Sequence, residues 1–467
     1  MRRIPGNEHF EGQAEYTTVI KHYFGKHWVI AARWGLIGSL QSLNIISVVL
    51  SAQVVDNAIA AIFGRTCAIN LTPFEKTNPY GGTRSLPGSM DVISCINTND
   101  LDGGNAWGCH IVLTMGFVTA AALALPCGRW NLEDNMSIQT VAFGLTICCW
   151  LIWIAASLSE RDWEPLPAVN TDPKTGSQAA VLGTILFNFG FVTTVPSWVN
   201  EKRPGVSVNK SLWTSTTICI IVFFAVGISG ALAFPDVLQG LVTNTCKRNV
   251  LEGNFNCANN LLQVFTKRSL LPDPWRESDM LSNILSVSVY AFPIVAVVSS
   301  IPVFSIVVKY NMIEAGSSRT MATFMGVVLP WVVAFPLLEM PNALGQLVNF
   351  TSLFFVSFTD FIVPVVLYAY LHRPQWKLGG NSASASSSIP ELESPVSSVS
   401  DRVSVSPQAH RHDAFPVTLR DFSPEVRVAC ALFIAVVLAV ASVVAMVLSL
   451  MQGSWTLDEQ TCALVGQ

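Results

Sequence analysis

Nine apolar stretches, each long enough to cross a bilayer, leave this chain few folds to choose from. They run over residues 29–62, 108–126, 138–158, 178–200, 212–233, 281–308, 321–339, 343–370 and 427–451. A hydrocarbon core of about 30 Å takes roughly 20 helical residues. Within it every backbone N–H and C=O must find a partner inside the protein, which restricts spanning segments to helices or closed barrels. The expected fold class is therefore an all-α, multi-pass helical bundle of about nine spans, with the lipid bilayer as its surroundings. Composition agrees, since 51% of residues are hydrophobic and only 12% are charged. Trp28, Trp107 and Trp213 sit at span ends, where an amphipathic ring prefers the interface. The first 27 residues are polar and charged, unlike a signal peptide, and a net charge of −4 gives no reason to expect nucleic acid.

An odd number of spans puts the two termini on opposite sides. With the N-terminus in the cytosol, sixteen of the 27 basic residues are cytosolic and ten lie opposite, with Arg33 inside a span. That bias favours N-in, C-out. The same orientation puts Cys67, Cys95, Cys109, Cys246, Cys257 and Cys462 on the exoplasmic side, where disulfides persist. Cys67 has Cys95 or Cys109 as a possible partner, and Cys246 has Cys257; spacing does not decide connectivity. Asn70-Leu71-Thr72 is an exoplasmic glycosylation acceptor. Asn135-Met136-Ser137 and Asn209-Lys210-Ser211 match the pattern but are expected in the cytosol, unmodified.

The chain divides into a cytosolic N-terminal segment (1–27), a transmembrane core (28–371), a Ser-rich cytosolic linker (372–425) and a last helix with an exoplasmic tail (426–467). The linker has few aromatics and much Ser and Pro, too little apolar surface to offset the entropy of ordering. Ser394-Pro395, Ser406-Pro407 and Ser423-Pro424 make a kinase a candidate partner there, and a passive tether is the plain alternative.

One span carries residues that a lipid-facing helix avoids. Ile185 to Lys202 holds Asn188, Gly190, Thr193, Thr194 and Pro196 within a dozen residues, a composition suited to a broken backbone lining a protected cavity. Freed N–H and C=O groups around Asn188, Phe189, Gly190 and Phe191 need partners, and a zwitterionic amino acid offers both a carboxylate and an ammonium. Half-helix N-termini attract the first and freed carbonyls the second. Asn188, Thr193 and Thr194 add side-chain contacts, with Phe187, Phe189 and Phe191 as walls. A simple kink at Pro196 is the alternative. In the first span Gln41, Asn44, Ser47 and Ser51 form a polar stripe on one helix face, either lining a cavity or bonding another helix. Asp360 lies deep in the eighth span, on the face of Asn349 and Ser352. Removal from water favours the neutral carboxyl, which suits a proton acceptor; capping of backbone freed by Pro364 is the other role open to it. Asp56, nearer the outer interface, is expected to be solvated. No Cys/His spacing resembles a metal site, and no catalytic cluster or nucleotide-binding glycine loop appears in the spans. The expectation is a non-enzyme without cofactor.

The run Phe191-Val192-Thr193-Thr194-Val195-Pro196-Ser197-Trp198-Val199-Asn200-Glu201-Lys202 with Pro204-Gly205-Val206, then Ser300-Ile301-Pro302-Val303-Phe304 with Tyr310-Asn311, then Phe361-Ile362-Val363-Pro364 with Leu367-Tyr368, resembles the amino acid/auxin permease family. The resemblance implies a LeuT-type fold of two inverted five-helix repeats around a site at the membrane midplane. It implies secondary transport of amino acids coupled to a proton, with sodium as the alternative ion, in a vacuolar, lysosomal or plasma membrane. Hydroxyls such as Ser299 and Ser300 contribute to a sodium site in that fold. Ile4-Pro5-Gly6-Asn7, followed by Tyr16 and His22-Tyr23-Phe24-Gly25, resembles the cytosolic loop after the family's second span. Two helices are thus expected upstream of Met1, one of them the partner of the break at Gly190. The alternatives to a transporter are a transport-inactive truncated product and a sensor or structural protein built on a transporter fold.

Overall fold

A nine-residue helix, α1 (Tyr16–Phe24), turns at Gly25 into the long α2 (Lys26–Phe63). The turn needs glycine because φ there is 81°. This is a computed structural model, and it describes residues 14–71, 93–97, 112–160, 178–203, 205–234, 261–266, 271–338, 343–372 and 423–451. Among them, eight helices are long and apolar enough to cross a membrane. After α2, a three-stranded antiparallel sheet forms from β1 (Arg65–Asn70), β2 (Ile93–Asn97) and β3 (Val112–Thr114), in the order β2-β1-β3. Then follow α3 (Met115–Cys127), α4 (Leu132–Leu158), α5 (Gln178–Asn188), α6 (Val195–Glu201) and α7 (Val208–Ala233). The remaining long helices are α8 (Asp279–Glu314), α9 (Arg319–Leu337), α10 (Gly345–His372) and α11 (Pro424–Met451). Of the expected segments, Cys109, Cys246, Cys257, Cys462, the residues before Ala14 and nearly all of the Ser-rich linker lie outside the described residues.

Two results depart from an all-helical, nine-span expectation. The first is the sheet itself, within which Cys67 and Cys95, one of the pairings left open by the sequence, face each other across β1 and β2 and are joined by a disulfide as expected. The second apolar stretch is shared between β3 and α3, because Val112, Leu113 and Thr114 pair with Asn70, Ile69 and Ala68 of β1 before the helix can begin. Thr114 then caps α3 through Phe117 N–H. At roughly 1.5 Å per residue, thirteen residues reach about 20 Å, short of a full hydrocarbon core. Even so, α3 runs from one end of the bundle to the other. Its Gly116 N–H donates to Asp56 Oδ1 at the sheet end, 2.8 Å away. The turn after it meets the opposite end, where Lys309 Nζ donates to the Trp130 carbonyl at 3.4 Å.

Apart from its exposed tryptophans, α2 is the post around which the bundle packs. Leu36, Leu40 and Leu43 pack with Tyr16, Ile20, Val307 and Val308, while Val48, Val49 and Ala52 pack with α3, α8 and α9 through Phe117, Ile301 and Trp331. A separate core gathers Trp153, Phe234, Phe265 and Leu285, and there the Trp153 indole donates to Ser288 Oγ at 2.9 Å. Three stretches are π-helical: Pro293–Val298 in α8, Phe324–Val328 in α9 and Ser352–Ile362 in α10. Such wide turns often mark functional positions. The described residues 365–372 and 423–436 belong to a second unit, in which the Tyr368 and His372 rings stack with centroids 4.2 Å apart.

Candidate functional site

The span Val181–Glu201 is broken. Its first half, α5, stops at Asn188; Val192–Thr194 forms a 3-10 turn, and α6 restarts at Val195. Pro196 falls in the first turn of α6, where its missing N–H costs nothing. Part of the irregular backbone satisfies itself, with Phe191 N–H donating to the Phe189 carbonyl at 3.0 Å and Thr194 N–H to the Phe191 carbonyl at 3.1 Å. Gly190 is required by close approach: a Cβ placed there would lie 2.5 Å from Val356 Cγ1. Asn188 and Phe191, on either side of the glycine, are exposed.

One face of α10 follows this broken span. Asn349 and Ser352 lie against Gly183, Val356 against Gly190, and Asp360 against Thr193. Asp360 is 2% exposed. Its Oδ1 accepts from Thr193 N–H at 2.9 Å and from Thr193 Oγ1 at 3.1 Å. Its Oδ2 accepts from Thr359 Oγ1 at 2.9 Å and from Ser39 Oγ of α2 at 3.4 Å. The two oxygens therefore differ chemically. Oδ1 faces an N–H that can only donate, whereas Oδ2 faces two hydroxyls that can also accept. Thr359 Oγ1 has the Phe355 carbonyl as an alternative acceptor at 2.9 Å. A proton on Oδ2 would thus leave every partner satisfied. The backbone that Asp360 caps belongs to the 3-10 turn ahead of α6, on a different span from the Pro364 region considered from sequence.

The far end of α6 is held by a second buried carboxylate. Glu15, at the start of α1, accepts from Ser197 Oγ at 2.5 Å, Asn200 Nδ2 at 3.0 Å and Asn311 Nδ2 of α8 at 3.3 Å. Ala14 N–H donates to Asn200 Oδ1 at 3.2 Å. Burial pushes the Glu15 carboxyl above the usual carboxylate range; donation from Ser197 and Asn200 opposes the rise, Glu201's charge adds to it and Asn311 opposes it. The adjacent Tyr16 donates its phenol to the Thr359 carbonyl at 3.0 Å. Burial, with the charge of Asp360 behind it, raises the Tyr16 phenol, so it stays a neutral donor.

The other residues singled out from sequence are placed as follows. Thr193 is fully buried on Asp360, and Thr194 Oγ1 returns to the Phe191 carbonyl at 2.7 Å. Asn188 Nδ2 bonds back to the Thr184 carbonyl of its own helix at 2.8 Å. Phe189 packs edge-on against Phe223 of α7, and Phe187 against the α2–α8 core. Asn44 donates to Ser305 Oγ of α8 at 2.9 Å, and Gln41 to the Met325 carbonyl. The polar stripe therefore faces other helices. Asn44 Oδ1, Gln41 Oε1 and Ser51 Oγ are buried there without a partner among the described residues.

Ser300 bonds to its own helix, at the Val297 carbonyl. Ser299 and Pro302 line a cavity of about 530 Å³, together with Leu123, Asn135, Val141 and Val298 of the surrounding α3, α4 and α8. Asp56 is buried where solvation was expected, accepting from Thr66 Oγ1 as well as Gly116 N–H, each at 2.8 Å.

Sequence reasoning missed Ser39 and Glu15. Ser39 had a faint signal in standing beside Gly38 and near Gly35 on an otherwise apolar span; Glu15 had none, because it sits among other polar residues. Among the described residues no group of His, Cys, Asp and Glu could hold a metal ion. No family model, curated protein or solved structure matches the chain.

Proposed function

We propose that this multi-pass membrane protein is a secondary active transporter of amino acids, built on the inverted-repeat LeuT-type plan and coupled to protons, with its N-terminus cytosolic. The observation that carries this reading is the break at Gly190. A candidate span interrupts itself where Asn188 and Phe191 are exposed, and the first turn beyond the break rests on a buried carboxylate. Helix breaks at membrane depth are tolerated where they line a cavity, and they present backbone dipoles to a charged ligand. A zwitterion fits that pair of half-helix ends. Asp360 is the candidate proton carrier, since the hydroxyls of Ser39 and Thr359 can serve either protonation state.

Uptake of labelled amino acids in proteoliposomes, by the protein extended with the upstream helices that the family resemblance implies, tests the reading. Expected is uptake accelerated by an inward proton gradient. Asp360→Asn can place its carbonyl on Thr193 and its amide on the two hydroxyls, so it keeps the geometry and removes the titration. It should retain exchange of substrate and lose the acceleration. No uptake under any proton or sodium gradient would overturn the transporter reading. Gradient-driven uptake that persists in the Asn variant would restrict Asp360 to holding the backbone.

A further inference from the structure

The cavity of about 530 Å³ is walled by α3, α4 and α8, none of which carries the break at Gly190. Its wall on α4 runs from Asn135 to Leu145, ten residues or about 15 Å of helix. The lining is graded along that length. Asn135 and Cys127 sit at the end closed by the turn between α3 and α4, where the Asn135 amide reaches the Cys127 carbonyl. Leu145, Ile294 and Val295 lie farthest from that turn, because α8 approaches it only with Lys309. Between the two ends the lining is aliphatic except for Ser299, whose hydroxyl turns back to the Ala296 carbonyl of its own helix at 3.4 Å. Ala142, Val298 and Pro302 are buried and form the floor, while Ile138, Val141 and Leu145 are exposed at the open side. Both α4 and α8 are candidate spans, so the open side faces hydrocarbon and the cavity fills from the bilayer.

The polar end states what kind of lipid belongs there. Asn135 is 1% exposed, and its amide nitrogen donates to the carbonyls of Cys127 at 3.3 Å and Asn131 at 3.0 Å. Both partners can only accept, so the side chain cannot be turned over, and Oδ1 is left as an acceptor that no described residue supplies with a donor. A buried oxygen in that state costs free energy until a donor arrives. Its electrostatic complement is a neutral hydroxyl. A phosphate or carboxylate would meet it oxygen to oxygen, and an acyl chain brings no donor. We propose that this cavity binds a membrane sterol, whose hydroxyl donates to Asn135 Oδ1 and whose fused-ring body lies along α4 and α8 toward Leu145. Asn135 stands in the first turn of α4, at the start of its candidate span, so the hydroxyl sits at the interface and the rings in hydrocarbon. The ring body rests against the π-helical Pro293–Val298, and Gln139 of α4 donates to the Ser299 carbonyl just beyond it. Such wide turns often mark functional positions. The site stands on this cavity alone and does not depend on what the protein carries.

Photolabelling of the full chain in lipid nanodiscs with a diazirine-bearing sterol tests it. Labelled peptides should map to 123–127, 135–145 and 294–302, and excess cholesterol should compete. The methyl ether of cholesterol keeps the ring body and has no donor, so it should compete about fivefold less well, the worth of one hydrogen bond. Diacylglycerol, which carries its hydroxyl on two flexible chains, should compete less well than cholesterol. Ala142→Phe puts a ring into the cavity and should remove the label from all three stretches. In Asn135→Leu the ether and cholesterol should compete equally. If either variant fails to fold, the competitors on the wild type decide. Label on the exposed faces of α7 and α11 as strong as on the cavity, label that survives Ala142→Phe, equal competition by the ether in the wild type, or diacylglycerol competing as well as cholesterol would overturn the proposal.

Discussion

Glu15 and Asp360 are both buried carboxylates, yet only one announces itself in the sequence. Asp360 interrupts an apolar run, and its expense there marks it. Glu15 stands in a polar segment where one more charge carries no signal, and its partners Ser197, Asn200 and Asn311 are remote in sequence. The consequence for Glu15 is a pH dependence of known sign. Burial raises its carboxyl, so the folded chain binds that proton more tightly than the unfolded chain does. Its contribution to stability is therefore complete below the ordinary carboxylate value, about 4.3, and is lost as pH rises through the raised one. Glu201 near the end of α6, and Tyr310 and Glu314 of α8, also face this group, while Lys21 and Arg33 offset Glu314. Thermal unfolding midpoints taken from about pH 4 to about pH 7 should fall for the wild type relative to Glu15→Gln. A constant offset between the two across that range would mean that Glu15 does not titrate there.

Which helices break, and why, was legible only in part. Gly190, Thr193, Thr194 and Pro196 within one apolar run announce a discontinuity, and the structure places it between Asn188 and Val192. That Asn349, Ser352 and Asp360 share one face of α10 was also readable, while the turning of that face toward the broken span comes only from packing. The division of the second apolar run was not readable, because β3 exists only through its pairing with β1, some forty residues earlier. Nor were the π-helical stretches, whose extra width depends on how neighbouring helices crowd them. At Gly190 the crowding is specific enough to test. A Cβ there meets Val356 Cγ1 at 2.5 Å, so Gly190→Ala should destabilise by about 1–3 kcal/mol, the usual cost of overpacking. Shortening the neighbour with Val356→Ala in the same chain should recover part of that loss. Thermal melts of the two single variants and the double variant measure it. Strictly additive losses would place the steric conflict elsewhere.

The bundle has two chemically distinct ends. One gathers Glu15, Asn131, Asn200, Lys309 and Asn311 through bonds among residues far apart in sequence. The other gathers Asp56, the disulfide-linked sheet and the start of α3. The sequence suggested this partition through its basic residues and cysteines, both of which favour a cytosolic N-terminus and an exoplasmic sheet end. A disulfide persists in an oxidising compartment, so the Cys67–Cys95 bond argues that the sheet end is exoplasmic. The three glycosylation sequences turn that into an experiment of unequal parts. Asn70 closes β1 at the sheet end. Asn135 is 1% exposed, and its amide donates to the Cys127 and Asn131 carbonyls, so it would stay bare on either side of the membrane. Asn209 is exposed at the start of α7, near the opposite end, so it alone reports orientation by staying unmodified. Expressed in a glycosylating cell, the protein should lose one glycan on enzymatic deglycosylation, and Asn70→Gln should abolish that shift. A glycan on Asn209 would reverse the bundle in the membrane and place Glu15 with its partners Ser197, Asn200 and Asn311 on the exoplasmic side.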